Sequence, residues 1–160
     1  PDTLRANEDV LQQLILVESP DDKVPHLVQL LGQLGANKGE RVLVFVARKH
    51  SCDFVCNTVQ RSGFGAVSMH SDKDQSDREQ ALADFRSGKY PVLVATDVAS
   101  RGLDVKGVRA VVNLDLPSNA EEYVHRVGRT GRAGVRGEAF SYVTRGSEDL
   151  WKTSAIVEVM

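Results

Sequence analysis

The chain has 160 residues, of which 41% are hydrophobic and 26% charged, and its formal net charge at pH 7 is −2. This length predicts one domain with a substantial hydrophobic core. The nearly balanced charge excludes binding of nucleic acid through a global basic field, so any phosphate must be held by locally grouped cations. No stretch approaches the ~18 consecutive apolar residues of a membrane span.

Short apolar runs alternate with amphipathic stretches along the chain. The apolar runs, which are rich in valine, predict strands over 14–17, 42–46, 66–69, 92–95, 110–113 and 139–143. The amphipathic stretches predict helices over 23–34, 51–61, 76–85 and 118–127, and the tail 146–160 is expected to be helical as well. Continuously apolar strands that alternate with helices indicate an α/β fold with a mainly parallel sheet and helices on both faces.

Residue types mark the ends of several helices. Ser76 with Glu79, and Ser118 with Glu121, each fit a capping box, in which a hydroxyl stands three residues before a carboxylate. Glycines stand where three helices are expected to end: Gly35, Gly63 and Gly88. Ligands of parallel α/β sheets bind beyond the carboxyl ends of the strands, so the loops after strands are expected to form the site. These loops are 47–51, 70–75, 96–104 and 114–118.

The two cysteines, Cys52 and Cys56, lie four residues apart in a predicted helix. Two thiols alone make neither a structural zinc site nor a disulfide framework. We therefore expect two free thiols on the core face of that helix, which is typical of a reducing intracellular compartment. The sequence does not distinguish nucleus from cytoplasm.

The most informative segment is HRVGRTGRAG, over residues 125–134. Its arginines, Arg126, Arg129 and Arg132, are separated by glycines, which is unusual at the end of a core helix. Arginine brings a permanent charge and a planar fork of donors that suits phosphate oxygens. Glycine lets the backbone turn sharply and approach a ligand closely. The segment is expected to place cations in a cleft, where they can stabilise charge on a transferring phosphoryl group.

This segment resembles motif VI of superfamily 2 helicases, and its residues are most similar to those of the DEAD-box RNA helicases. Three other segments resemble motifs of that family and follow in the family's order: VLVFVARK at 42–49 resembles motif IV, HSDKDQSDR at 70–78 the RNA-contacting Q-x-x-R region, and VATDVASRGLD at 94–104 motif V. The resemblance implies the second, C-terminal RecA-like domain of such a helicase. Its expected fold is a three-layer sandwich with a mainly parallel sheet.

The resemblance also implies roles at a nucleotide site. Arg129 and Arg132 match the two family arginines that reach the γ-phosphate of ATP across the cleft between two domains. Asp104 matches a carboxylate that contacts the ribose, and Gly102 lies in the same motif beside the nucleotide. Three residues match positions that couple this site to motif V and the other domain: His125, Arg126 and Asp97.

A second set of residues matches positions along the RNA backbone: Arg78, Thr96, Arg101, Gly102, Ala47 and Arg48. Gln75 is expected to order its own loop. A hydroxyl, backbone amides and guanidinium groups bind phosphates and sugars without reading base edges. We therefore expect binding of single-stranded RNA or a short duplex, with little sequence preference and a strong dependence on salt.

Two elements of a complete helicase are not among these 160 residues. The chain has no G-x-x-x-x-G-K-[ST] phosphate loop and no Asp-Glu-Ala-Asp run. In the family both belong to the first RecA-like domain, which is expected upstream as a partner of this chain and as the holder of Mg²⁺ for ATP. We expect the 160 residues alone to hydrolyse no ATP at a useful rate, and protein cofactors are possible further partners.

Three other functions stay open on sequence grounds. A DNA-acting motor of the same superfamily also contacts the backbone, and only the 2′-hydroxyl separates the two substrates. A non-catalytic module for RNA or protein binding could keep the fold, although the arginine set argues against it. A metabolic enzyme on a doubly wound sheet is disfavoured, because the loops after the strands hold no nucleophile, base or dinucleotide fingerprint.

Overall fold

A computed structural model describes residue 6 and the ranges 9–100, 105–131, 136–146 and 149–160. Its strands are β1 (Val10–Val17), β2 (Val42–Phe45), β3 (Ala66–Met69), β4 (Val92–Ala95), β5 (Ala110–Asn113) and β6 (Gly137–Thr144). Its α-helices are α1 (Lys23–Gln33), α2 (Lys49–Arg61), α3 (Gln75–Ser87), α4 (Asp97–Ser100), α5 (Ala120–Val127) and α6 (Asp149–Val159). Two single 3₁₀ turns, Pro20–Asp22 and Ala36–Lys38, flank α1.

The strands form one six-stranded sheet in the order β1-β6-β5-β2-β4-β3, and every pairing in it is parallel. The three central strands are buried along their whole length: β2, β4 and β5. This explains why these strands are continuously apolar in sequence. The carboxyl ends of β3, β4, β2, β5 and β6 meet at one edge, so the loops that follow them come together there.

Alternate residues of the strands pack into separate cores on the two faces of the sheet. Val42 and Val44 of β2 belong to a core shared with α1 and α2, whereas Leu43 and Phe45 belong to a core shared with α3 and α4. A third core joins β1 and β6 to α5 and α6. The three-layer α/β sandwich expected from the sequence is therefore confirmed, and the sheet is entirely parallel.

The two capping boxes expected at Ser76 and Ser118 were wrong. Helix α3 begins after Asp74, whose Oδ1 accepts the amide of Asp77 at 2.8 Å. Helix α5 begins after Asn119, whose Oδ1 accepts the amide of Glu122 at 2.8 Å. Asp, Asn and Ser are about equally good N-caps, so a run that contains two of them has two possible starts.

The expected glycine stops are confirmed. Gly35, Gly63 and Gly88 adopt φ values of 85°, 99° and 84°, in the left-handed region that favours glycine. The tail is helical over α6 as expected. Loop 96–104 departs from expectation, because its first part forms the short helix α4.

Both cysteines lie on the buried face of α2, as expected, and both are free thiols. Cys52 is fully buried, and its Sγ lies 3.1 Å from the carbonyl oxygen of Val94. Burial raises the pKa of Cys52 to about 12. The thiol is therefore protonated at neutral pH and serves packing. Within the described ranges no helix is long and apolar enough to cross a membrane.

Candidate functional site

Arg126 is the best-buried charged residue among the described members of the predicted site. It lies in the last turn of α5 and is 3% exposed. Its Nε and Nη2 donate to the two carboxylate oxygens of Asp97 at 2.8 and 2.6 Å. Its Nη1 donates to Oδ1 of Asn113 and to the carbonyl oxygen of Asp115, both at 2.9 Å. This guanidinium therefore ties the predicted motif VI helix to the start of the predicted motif V and to the end of β5.

The environment of Arg126 offsets the cost of burying its charge. Desolvating an unpaired ion is expensive, and a buried pair is tolerated only where geometry and further hydrogen bonds are good. Here the fork of Arg126 meets the carboxylate of Asp97 side by side, and the ring of Phe45 lies 4.7 Å from the guanidinium carbon. Asn113 is itself fixed, because its Nδ2 donates to Oγ of Ser141 at 3.0 Å. The geometry resists any other orientation of Arg126.

Asp115, the second residue after β5, connects the same site to the predicted motif IV. Its Oδ2 accepts the amide of Ala47 at 2.8 Å, and its Oδ1 accepts Nζ of Lys23 at 3.3 Å. Ala47 and Arg48 follow β2 and are exposed. They line a cleft of about 530 Å³ at the carboxyl edge, together with parts of α1 and the ends of β5 and β6. The predicted RNA residues of motif IV are thus solvent-accessible on a loop fixed by a carboxylate.

Arg129 and Thr130 follow α5 and run back beside the segment before β5. The hydroxyl of Thr130 donates to the carbonyl oxygen of Val108 at 2.5 Å, and the amide of Val108 donates to the carbonyl oxygen of Arg129 at 3.1 Å. Thr130 is fully buried, whereas the Arg129 side chain is half-buried and its Nη1 lies 3.5 Å from the carbonyl oxygen of Val105. The backbone that presents Arg129 is therefore fixed by hydrogen bonds to the segment before β5.

Gly137, the first residue of β6, completes this packing. A Cβ at position 137 would overlap the Thr130 hydroxyl oxygen and the backbone of Gly131. Gly131 has φ 82° and packs against Val10 at the start of β1. Thr130 and Gly131 thus lie against the amino ends of β1 and β6.

Arg78 and Thr96 lie on neighbouring elements at the carboxyl edge. Arg78 is half-buried in the first turn of α3, and its Nη2 lies 3.4 Å from the carbonyl oxygen of Ala99 in α4. Thr96 is buried, and its amide donates to the carbonyl oxygen of Met69 at 3.3 Å. Gln75 is exposed, with its amide nitrogen 3.1 Å from Oε1 of Glu79. Arg78 thus faces α4, next to the start of the predicted motif V.

Of the remaining predicted residues, His125 lies within the described ranges and four do not. His125 is exposed in the last turn of α5. Four predicted residues lie outside the described residues: Arg101, Gly102, Asp104 and Arg132. Across the described ranges, no group of three or more His, Cys, Asp or Glu side chains is placed to hold a metal ion.

Sequence reasoning missed Asn113 and Asp115, the two residues that complete the Arg126 site. The missed signal was a fully buried asparagine at the end of the valine-rich strand β5, followed by a carboxylate at the carboxyl edge. A buried amide needs hydrogen-bond partners, so an asparagine at the end of an apolar strand is a weak sign of a polar network, too weak to identify its partners.

Comparison with known proteins shows the family of the chain. The family described as "Helicase conserved C-terminal domain" matches residues 22–134, which include all four motif-like segments. The chain therefore belongs to this family. It is 46% identical over 141 residues to "DEAD-box ATP-dependent RNA helicase 30" of Arabidopsis thaliana, a match that covers 88% of this chain and 23% of the relative. The chain thus spans about a quarter of the length of such relatives.

Solved structures place the fold in the same group. E. coli DEAD-box protein SrmB, bound to regulator of ribonuclease activity A, matches with a TM-score of 0.84 and 32% identity over 94% of this chain and 85% of that one. S. cerevisiae Dbp5, bound to RNA and ADP BeF3, matches with a TM-score of 0.84 and 31% identity over 96% of this chain and 40% of that one. Within the helicase family, this chain is a DEAD-box C-terminal RecA-like domain.

Proposed function

We propose that this chain is the second half of the catalytic core of an ATP-dependent RNA helicase. In this proposal it supplies arginines to ATP in a cleft between two RecA-like domains, and it forms part of an RNA groove used for local duplex unwinding or remodelling of RNA–protein complexes. The observation that supports it most is the buried fork of Arg126 on Asp97. That contact joins the segment proposed to face the nucleotide to the segment proposed to face RNA.

At the nucleotide side, the proposed groups are the guanidinium groups of Arg129 and Arg132, with Asp104 and Gly102 beside the ribose. ATP bound with Mg²⁺ supplies the phosphoryl group, and we place the Mg²⁺ ligands in the first domain. The fixed backbone of Arg129 and Thr130 suits a residue whose charge must reach across a cleft, because little ordering remains for domain closure. His125 and Arg126, with Asp97, transmit closure between the two sites.

At the RNA side, the proposed contacts come from three loops at one edge of the sheet. Arg78 and Thr96 lie there with Ala47 and Arg48, and Arg101 and Gly102 belong to the same proposed set. The groups they offer are cations, amides and a hydroxyl, which hold backbone phosphates and sugars and leave base edges unread. The relative bound to RNA and ADP BeF3 supports both ligands for this chain. The relative bound to a ribonuclease regulator supports protein cofactors as further partners.

Arg78→Ala is expected to weaken RNA binding by a similar factor on unrelated sequences and to reduce the salt slope of log K by about 1. The reason is that a backbone contact releases about one counterion and carries no base information. Titrations of two unrelated single strands at several salt concentrations, with a protein that contains this chain and its upstream domain, measure both quantities. Arg61→Ala, an exposed arginine at the opposite end of α2, is the control. A sequence-dependent loss, or an unchanged slope, contradicts the proposal.

The decisive experiment is ATP hydrolysis by this chain joined to its upstream domain, with and without single-stranded RNA. We expect RNA-stimulated hydrolysis from the joined protein and no useful rate from the 160 residues alone, because one wall of the cleft is then missing. Matched DNA strands test the sugar preference, since the 2′-hydroxyl distinguishes RNA from DNA. Retained RNA binding without hydrolysis under any condition would replace the proposal with a non-catalytic RNA-binding module. Equal stimulation of hydrolysis by matched DNA strands would contradict the assignment of RNA as the preferred substrate.

A further inference from the structure

His70 lies at the end of β3 in a polar network that the proposed site does not use. It is 5% exposed, and its Nε2 lies 3.0 Å from both carboxylate oxygens of Asp53 in α2. Ser68 donates its hydroxyl to the same carboxylate at 3.0 Å. On the other side of the ring, the amide of Asp72 lies 3.3 Å from Nδ1. The imidazole thus bridges a helix and the loop 71–74.

These partners define which nitrogen carries the proton. A backbone amide can only donate, so Nδ1 accepts from Asp72, and Nε2 carries the hydrogen donated to Asp53. Partial burial raises the pKa of the Asp53 carboxyl, but hydrogen bonds from His70 and Ser68 outweigh it and hold that pKa below its ordinary value of 3.8. Asp53 is therefore an anion at neutral pH and a fixed acceptor for Nε2–H. The neutral ring satisfies both neighbours at once.

The loop held by His70 is joined rigidly to the start of α3. The amide of Lys73 donates to the carbonyl oxygen of His70 at 3.1 Å, which closes a tight turn. Asp74 then caps α3 with its side chain, and its carbonyl oxygen accepts the amide of Arg78 at 3.0 Å. A displacement of the loop therefore displaces the first turn of α3 and the base of the Arg78 side chain.

A second tie on the outer side of the loop is much weaker. Nζ of Lys49 lies 3.0 Å from Asp72, and the two side chains are 44% and 60% exposed. Exposed pairs of this kind contribute little to order. The His70 side chain is 6% exposed and its partner Asp53 is 52% exposed, so the imidazole is the better-ordered of the two links between α2 and this loop.

We propose that His70 is a positioning residue for RNA binding: its neutral ring, anchored on Asp53, holds the loop 71–74 and thereby orients Arg78 toward the RNA. This inference rests on the proposed function and names a determinant of the RNA side of that same site. The imidazole touches no substrate in this proposal. It acts through the Asp72 amide and the first turn of α3.

Two substitutions test the hydrogen bonds of the two ring nitrogens of His70 separately. His70→Gln places an amide nitrogen near the position of Nε2 and keeps a donor for Asp53, but it removes the acceptor for the Asp72 amide. His70→Asn places an oxygen near the position of Nδ1 and keeps that acceptor, but it cannot reach Asp53. Asp72 is exposed, so water can replace the lost partner in His70→Gln at little cost in stability. The two variants therefore differ in which link is cut.

The measurement is RNA-stimulated hydrolysis by the protein that contains both domains, with kcat at saturating RNA and the RNA concentration for half-activation determined separately. We expect His70→Gln to raise the half-activation concentration about fivefold with kcat unchanged, as for the loss of one hydrogen bond. His70→Asn keeps the acceptor for Asp72 but loses the anchor on Asp53, so it is expected to raise the half-activation concentration by a smaller factor, about twofold. It is also expected to lower Tm more than His70→Gln does. A purely structural role predicts that Tm and RNA affinity change together in both variants, which overturns the proposal.

Arg78→Ala, measured alongside, separates this inference from the function on which it rests. If Arg78→Ala weakens activation and His70→Gln does not, the positioning role fails and the proposed RNA surface stands. If Arg78→Ala has no effect, both fail. The unsubstituted chain offers an independent test, because ¹⁵N chemical shifts of the His70 ring report its tautomer. We expect hydrogen on Nε2 and none on Nδ1, and the opposite tautomer rejects the proposal without any variant.

Discussion

Replacement of Arg129 by alanine is expected to lower the RNA-stimulated kcat of the two-domain protein about 10³-fold, the lower end of the range for arginines that stabilise a transferring phosphoryl group. The half-activation concentration of RNA should stay within about twofold of the parent, because Arg129 is proposed to contact the nucleotide and not the RNA. Steady-state hydrolysis at saturating RNA, with and without the substitution, measures the effect.

Arg129→Lys is the informative companion to that variant. It keeps a positive charge but loses the planar fork, so we expect it to recover only a small part of kcat. Arg61→Ala controls for the loss of an exposed arginine in general and should leave kcat unchanged. A kcat within about tenfold of the parent in Arg129→Ala would remove Arg129 from the nucleotide site.

Replacement of Arg126 by alanine is expected to lower the free energy of unfolding of this chain by about 3 kcal/mol, because it leaves Asp97 and Asn113 with lost partners in a mostly buried site. At this chain length that loss corresponds to a fall in Tm of about 10 °C. Urea unfolding followed by circular dichroism measures the free energy directly. The free energy of unfolding of Arg126→Lys should lie between those of the parent and of Arg126→Ala, since an ammonium cannot match the side-by-side contact with Asp97.

The matched control is Arg145→Ala. Arg145 also pairs with a carboxylate, that of Glu18 at 3.0 Å, but the two side chains are 61% and 72% exposed. Such a pair contributes roughly 0.5 kcal/mol or less. Similar losses from the two variants would show that the buried fork has no special contribution to stability.

The fold was predictable from the sequence because its strands lie inside the sheet. Central strands buried on both faces are mostly apolar, and this made β2, β4 and β5 visible within one residue of their observed bounds. The sequence predicted only the second half of strand β1, residues 14–17. Its first half contains Gln12 and Gln13, and only Val10 and Val17 of the strand are buried. An edge strand has no need of a continuous apolar run.

The candidate site was predictable only as a set of residue types. Arg126 and Asp97 are separated by 29 residues, and their contact depends on the strand order β5-β2-β4, which no local pattern specifies. Asn113 and Asp115 lacked a motif of their own and became visible only through their bonds to Arg126. The helix starts failed for a local reason, because competing N-caps of equal strength stand within a few residues of each other. A single sequence reveals neither the order of strands in the sheet nor which of several equally good N-caps begins a helix.

The pairing of β1 with β6 has a consequence for how the chain acquires its structure. Among the strands of this sheet, β1 leaves a ribosome first and its partner β6 last, and Val10 pairs with Gly137 across a separation of 127 residues. Loop closure over such a distance is entropically costly, so pairings of this kind form late and slowly. Gly131 packs against Val10, and Thr130 lies against Gly137. Thr130 and Gly131 are therefore among the last described residues to reach their final packing, and a nascent chain completes that packing only after β6 has been synthesised.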